Sequence, residues 1–342
     1  MSAPSPFPAA PPARVLRLGA ADASAPVWDS LAHGSIVARA EAAVVELTGP
    51  GAVTCLQGLF TNDVEEPGDG GFAYGALLTP KGMIVVDGWA ARSGATVRLA
   101  VPAVGADAAV GLLGRSVPPR LARTADRTAD LGVLRLAGPR AAGAVEGAGL
   151  PVPAGPGRLV SREDVEVART DQGAPFAFQI TAPRRILDGL VARLAGGGAR
   201  SAPATALELA RILAGWPGLG AEVDAKTIPQ EVRYDEIGGV SYTKGCYTGQ
   251  ETVSRLHFRG HANRVLRGLE LDAAPPAQDE ILVRYQDRDV GRVTSVAVLP
   301  GGRWIGLAVL RREVAPDALV TVGDGVARVV SLPFPPPRPE PA

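Results

Sequence analysis

The apolar positions of this chain fall into short alternating runs and short helical stripes, and the sequence of patterns repeats. Residues 44–56, VVELTGPGAVTCL, align without gaps against residues 133–145, VLRLAGPRAAGAV. Val44, Leu47, Gly49, Pro50 and Ala52 recur as Val133, Leu136, Gly138, Pro139 and Ala141. Each copy alternates as a strand does, breaks at Gly-Pro, and continues at helical spacing with proline in a favoured first-turn position. Downstream, TVRLAVPAVGADAAVGLLG (96–114) and FAFQITAPRRILDGLVARLAG (176–196) each predict a strand, a proline and an amphipathic helix.

Inside the first copy, FAYGALLTP, KGMIVVDGWA and ATVRLAV read as three strands, punctuated by Pro80-Lys81-Gly82 and Ser93-Gly94. Two similar α+β halves, each a sheet with helices on one face, follow from this repetition. A further helix is predicted over 204–215, where Leu207, Leu209, Ala210, Ile212 and Leu213 form an apolar stripe suited to docking on one of the sheets. After about residue 262 the pattern is β throughout: VLRGLEL, EILVRYQ, DVGRVTSVAVL, WIGLAVL, ALVTV and VARVVSL, separated by Gly, Pro and Asp turns. Six short strands so spaced predict a small barrel. The organisation read from these patterns is a flexible proline-rich leader (1–26), a first α+β domain (27–130), a second (131–261), the barrel (262–332) and a proline-rich tail (333–342).

Composition narrows the function classes. The 342 residues are 46% hydrophobic and 20% charged, an ordinary globular balance large enough for several domains. Thirty-five Lys plus Arg offset 35 Asp plus Glu, so no global field draws the protein to nucleic acid or an anionic membrane. Any nucleic-acid role has to be local, and nucleic acid is not expected as a direct partner. The only cysteines, Cys55 and Cys246, lack CxxC spacing, which argues against a disulfide framework or a zinc module and fits a reducing cytoplasm. The leader lacks a secretory pattern and no apolar run approaches a membrane span, so a cytoplasmic protein without membrane attachment is expected.

Between helix and barrel lies TIPQEVRYDEIGGVSYTKGCYTGQETVSRLHFRGHANR (227–264), whose centre is KGCYTGQE (244–251). Gly245 and Gly249 permit sharp turns and close backbone approach, Lys244 can favour the Cys246 thiolate, and Tyr247 offers a face for a flat ring. From 244 to 267 Lys244, Arg255, Arg259, Arg264 and Arg267 face only Glu251, a local anion site in a neutral protein. A planar heterocycle with a polycarboxylate tail would use both features.

KGCYTGQE, preceded by PQEVRYDEIGGVSY and followed by Asn263, resembles the signature of the YgfZ-type folate-binding proteins, relatives of the glycine-cleavage T-protein. LTGPGAVTCLQGLFTNDV (47–64), YGALLTPKGMIVVD (74–87), ELARILAGWPGLGAEV (208–223), GRVTSVAVLP (291–300) and IGLAVLRRE (305–313) are similar to further segments of that group. The resemblance implies a T-protein-like cloverleaf, α+β, with two related domains and a barrel around a folate channel. It implies a ligand, tetrahydrofolate or a one-carbon derivative, with no tightly bound metal. It implies a role as an accessory protein in assembly or repair of iron–sulfur enzymes, including those that modify tRNA, with iron–sulfur client or assembly proteins as partners. On this reading Lys244, Gly245, Tyr247, Gly249, Gln250, Glu251 and Arg255 surround the ligand, Glu231, Asn62 and Asp63 contact it, and Cys246 is the candidate reactive group. Asp87 stands where the T-protein family has an acid ending its hairpin motif, and is a candidate catalytic carboxylate or a hairpin residue.

One departure bears on mechanism. Where the T-protein family carries RTGYTGEDGFEI, this chain has RTDQGAPFAFQI (169–180), with Pro175, Phe176 and Gln179 at acidic positions. An acid that grips the pterin is thus missing, which argues against aminomethyl transfer. The alternatives are a folate-dependent aminomethyl or N-methyl transferase, and a folate-independent protein or RNA binding module. His257 and His261, four apart, could share a helix face near Cys246 as metal ligands, but one cysteine supplies too few soft donors for a closed cluster. Cys55 is expected on the buried stripe of the first helix.

Overall fold

The computed structural model describes residues 14–171 and 173–335. Each copy of the repeated pattern is a strand, a glycine turn and a helix: Ala42–Thr48 leads to Ala52–Gln57, and Leu131–Ala137 to Ala141–Gly147. The paired glycines explain the Gly-Pro break. Gly49 and Gly138 hold φ of 122° and 110°, and a Cβ there would meet the Leu121 and Gly34 carbonyl oxygens at 2.9 and 2.6 Å. The second pair of predicted units also matches, with Thr96–Pro102 feeding Ala106–Ser116 and Phe178–Pro183 feeding Leu187–Gly196.

The first sheet orders Phe72–Leu78, Ile84–Ser93, Thr96–Pro102, Ala42–Thr48 and Arg123–Asp126, all antiparallel. The second orders Arg200–Ser201, Ile36–Arg39, Leu131–Ala137, Phe178–Pro183, Val165–Arg169 and Arg158–Arg162. Ile36–Arg39, placed in the first domain by the sequence reading, therefore belongs to the second sheet, where it pairs with Leu134–Ala137. The first half thus lends a strand to the second sheet and receives none in return, so a boundary at 130 does not separate the two sheets. The six predicted C-terminal strands close into a barrel, because Arg288–Val298 pairs with both Ile281–Tyr285 and Trp304–Arg311.

The ends differ from expectation. Leu16–Leu18, read as part of a leader, forms a parallel strand on Ser295–Ala297, and Ala25–His33 is helical. The alternation of VLRL was hidden beside the prolines, yet it buries Leu18 against the shared core. In the tail, Phe334 is buried and its N–H reaches the Leu213 carbonyl. Residues 1–13 and 336–342 lie outside the described residues. No helix among the described residues is long and apolar enough to cross a membrane.

Each sheet has its own core beneath its helices, and a third cluster draws Tyr74, Trp89, Phe176, Trp216, Tyr234 and Leu266 from all three parts. The Ala204–Ala214 helix ends on Gly215 in the left-handed region and touches the second sheet and the barrel together. Its Arg211 is the joint. The guanidinium reaches Glu222 Oε2 and the Trp216 carbonyl at 2.7 Å and Ser295 Oγ at 3.0 Å, while Ser295 Oγ donates to Glu222 Oε1 at 2.6 Å. With Glu222 1% exposed and Arg211 7% exposed, losing Glu222 leaves the buried guanidinium only its 2.7 Å pair with the more exposed Glu208. Glu222→Ala is expected to cost about 3 to 5 kcal/mol, read as a lowered urea midpoint.

Candidate functional site

The strand Ile84–Ser93 carries Asp87 and Trp89 on one face by the two-residue period, and its partner Phe72–Leu78 places Phe72 and Tyr74 beside them. Trp216, in the glycine turn after the Ala204–Ala214 helix, stacks on Trp89 with centroids 5.8 Å apart. Phe72 stacks on the same indole at 5.0 Å, and Phe176 tilts against it at 5.0 Å. Tyr74 sets its ring across Trp216 at 4.8 Å.

These rings stand between two cavities. One, of about 710 Å³, is lined by Asp87, Trp89, Arg135, Phe176, Glu208 and Trp216. The other, of about 930 Å³, is lined by Asn62, Asp63, Glu66, Phe72, Asp171 and Gly238. Tyr74, Trp89 and Trp216 face both. The aromatic cluster is thus the wall that the two cavities have in common.

Asp87 is the most distinctive polar group of the 710 Å³ cavity. Tyr74 Oη donates to Asp87 Oδ2 at 2.7 Å and accepts from Tyr234 Oη at 3.1 Å, while the other carboxylate oxygen, Oδ1, is buried without a partner. Burial pushes the Asp87 carboxyl above the ordinary carboxylate range, against the pull of the Tyr74 hydrogen bond and of the Arg135 and Arg211 charges. Arg135 lies 4.4 Å over the Phe176 ring and donates to Gln179 Oε1 at 3.1 and 3.2 Å. Burial brings this guanidinium down to about 10, against the pull of Glu208 and Asp87. Phe176 and Gln179, at the substituted acidic positions, thus serve as a wall and as the prop of an arginine.

The KGCYTGQE loop is elsewhere. Lys244 Nζ donates to the carbonyls of Gln57, Phe60 and Asn62 at 2.7, 2.8 and 2.9 Å. All three ammonium protons are committed to the chain leaving the Ala52–Gln57 helix, whose free carbonyls attract a cation. Lys244 therefore does not grip a ligand carboxylate, contrary to the sequence reading. Burial brings it down to about 8, against the charges of Asp63 and Glu65. Tyr247 is buried with the Lys244 ammonium 5.3 Å from its ring centre, so its face is already used. Gly249, at φ 84°, lets the loop press onto the hairpin turn, where a Cβ would meet the Thr79 carbonyl oxygen at 2.7 Å.

The other predicted residues scatter. Gly245 and Cys246 are exposed; Gln250 is half-buried, and Glu251 and Arg255 are exposed on the Gln250–Arg259 helix. None of the loop residues 244–251 lines either cavity. Glu231 is half-buried beside a separate surface cleft with Arg264 and Arg312, its carboxyl pushed up by burial. Asn62 and Asp63 line the 930 Å³ cavity and not the one that holds Asp87. Asn62 Nδ2 donates to the carbonyls of Tyr74 and Gly238 at 2.8 and 2.7 Å, and Asp63 Oδ1 accepts the Glu65 and Glu66 N–H groups at 2.9 Å. Burial works to raise Asp63, but those two N–H groups, Gln57 and Lys244 hold it below its usual range.

His257 pairs with Asp235 at 3.2 Å and stacks on Tyr242, while the helix ends at Arg259 and leaves His261 off it. The shared helix face proposed for the two histidines does not exist. No group of three His, Cys, Asp or Glu side chains suited to a metal occurs among the described residues. Cys55 is half-buried and packs against the first core.

Sequence reasoning missed Tyr74, Trp89, Arg135, Phe176, Trp216 and Tyr234. Scarcity was the available signal: aromatic residues are 5% of the chain, and two of its four tryptophans meet here. The clamp role of Lys244 makes its own prediction. Lys244→Met should cost about 2 to 4 kcal/mol by stranding three buried carbonyls, seen as a lowered urea midpoint, with ligand affinity at the Asp87 cavity changed by less than about threefold.

Residues 33–149 match the family model described as the GCVT N-terminal domain. The tRNA-modifying protein YgfZ of Sodalis glossinidius (strain morsitans) is 29% identical over 311 residues, 87% of this chain and 91% of that protein. The protein of the same name from Klebsiella pneumoniae (strain 342) is 34% identical over 129 residues, only 36% of this chain and 39% of its own length. The glycine cleavage system aminomethyltransferase T from Bartonella henselae superposes with a TM-score of 0.78 at 20% identity, covering 90% of this chain and 88% of that one, and so shares its fold. The repeated α+β halves, the closed barrel and the matched domain make the chain similar to the YgfZ proteins along most of its length and give it the fold of the glycine-cleavage T-protein.

Proposed function

We propose that this protein binds tetrahydrofolate, or a one-carbon derivative of it, in the 710 Å³ cavity, and acts in the cytoplasm as an accessory to the assembly or repair of iron–sulfur enzymes. The observation that carries the ligand reading is the bare, buried Asp87 Oδ1 beside Trp89, Phe176 and Arg135. A pterin presents an edge of N–H donors to a carboxylate and two flat faces to aromatic rings, and the volume lies in the range of small-molecule sites. Asp87 would take the donor edge, with Trp89 and Phe176 forming part of the cavity wall beside it. The similarity to the GCVT N-terminal domain and the shared T-protein fold support a folate ligand, and the name of the relatives supports client enzymes that modify tRNA. Iron–sulfur clients or assembly proteins are the partners this reading requires.

Accessory function fits better than aminomethyl transfer. Phe176 and Gln179 stand at the acidic positions, and Gln179 is spent on Arg135. Cys246 is exposed and lines neither cavity, which supports a role toward a partner instead of the folate.

Calorimetry tests this directly. Asp87→Asn should weaken tetrahydrofolate binding about 10- to 100-fold, the effect of losing a hydrogen bond to a charged acceptor. Affinity of the unaltered protein should fall as pH drops through the raised Asp87 value, since the ligand needs the carboxylate. For stability the sign is opposite. A folded-state value above the unfolded one means the neutral acid is favoured by folding, so the contribution is present at low pH and lost as pH rises through the folded value. Asp87→Asn should therefore melt higher than the parent at neutral pH. Cys246→Ala should leave tetrahydrofolate affinity within about twofold while lowering iron–sulfur enzyme activities in cells; unchanged cellular activities would refute the accessory role.

A further inference from the structure

Arg255, Arg259 and Arg264, which follow the KGCYTGQE loop, are exposed on the surface. Arg255, Phe258 and Arg259 share one face of the Gln250–Arg259 helix by their spacing, and all three are exposed, Phe258 to 67%. The Phe258 ring is propped edge-on to Tyr242 and His257, with centroids at 5.8 and 4.7 Å. Those two rings stack at 3.7 Å, and both are tied to Asp235. An exposed phenyl ring is thus held outward by a built support.

Past Gly260 the chain lines a cleft of about 740 Å³ with His261, Asn263 and Arg264, opposite Arg311 and Arg312. Glu231 and Glu313 also line it. Arg264 and Arg311 are register partners across the antiparallel pair, so two guanidinium groups leave the same face directly opposite each other. Like charges so placed destabilise a sheet, and an anion between them would remove the repulsion. The buried arginines, Arg211 and Arg233, are each paired within 2.8 Å. Among the described residues Arg255, Arg259, Arg264 and Arg312 make no ion pair, and Arg311 has only an exposed contact to Glu313 at 3.8 Å.

We propose that this face binds a single-stranded or loop segment of RNA, with phosphates held in the Arg264, Arg311 and Arg312 cleft and a base stacked on Phe258. Alternating cationic and aromatic groups match the alternation of phosphate and base along an unpaired strand. The balanced net charge removes long-range attraction but leaves this local field intact. The site shares no lining residue with the folate cavity and does not depend on that reading.

The test is fluorescence anisotropy with a labelled unmodified tRNA transcript and a labelled short oligouridylate over a salt series. The double variant Arg311→Gln, Arg312→Gln should weaken both complexes about tenfold or more and reduce the slope of log affinity against log salt by about one to two. Phe258→Ala should weaken oligouridylate about tenfold, the loss of one stacked base, with the slope unchanged. Melting curves by circular dichroism, together with unchanged tetrahydrofolate affinity, separate these effects from unfolding and from failure of the folate reading. No binding by the parent protein at low salt, or equal binding by the variants, overturns the proposal. So does displacement of RNA by polyglutamate at equal charge concentration, which would assign the cleft to an acidic protein.

Discussion

The buried carboxylate of Asp87 organises the centre of this molecule. One of its oxygens is held by Tyr74, whose hydroxyl continues to Tyr234, and the other is buried without a protein donor in a residue that lines the cavity. Burying such a group is costly, and the structure tolerates it because all three parts of the chain close around it. The hairpin of the first sheet supplies Asp87 and Trp89, the second sheet Arg135 and Phe176, and the turn bound to the barrel by Arg211 supplies Trp216. The same burial that makes Asp87 unfavourable for the empty fold would make it a strong acceptor for a ligand that brings N–H groups. Stability and binding are set against each other at one residue.

The KGCYTGQE loop has a different part in this arrangement. Its lysine satisfies the carbonyls at the end of the Ala52–Gln57 helix, its tyrosine is buried beside that lysine, and its second glycine allows contact with the hairpin turn that follows Leu78. The loop locks the hairpin that carries Asp87 to the segment entering the barrel, and it leaves Cys246 on the outside. A motif rich in chemically active residue types is here mainly a clamp, with a single thiol offered to solvent. The electrostatic picture divides accordingly, with cations that were close in sequence separating into a buried donor and a surface row.

Much of the fold was legible because local patterns decide it. The Gly-Pro echo at 49–50 and 138–139 marks the same backbone turn twice, and the six alternating runs after 262 are the six barrel strands. The lent strand was not legible: Ile36–Arg39 has the alternation of any strand, and only tertiary pairing sends it to the second sheet. The site was less legible than the fold. Asn62, Asp63 and Asp87 were identified by position, but Lys244 and Tyr247 were assigned to a ligand because charge and aromaticity in sequence do not reveal which way a side chain turns. Trp89, Arg135 and Trp216 come from three separate segments, and no local pattern links them.

The most direct measurement is hydrogen–deuterium exchange with and without tetrahydrofolate. Protection centred on 74–78, 84–90 and 174–180, with residues 244–251 unchanged, is the result that a pterin against Asp87 and the aromatic wall requires. Protection centred instead on 244–251, with the Asp87 hairpin unaffected, would contradict it.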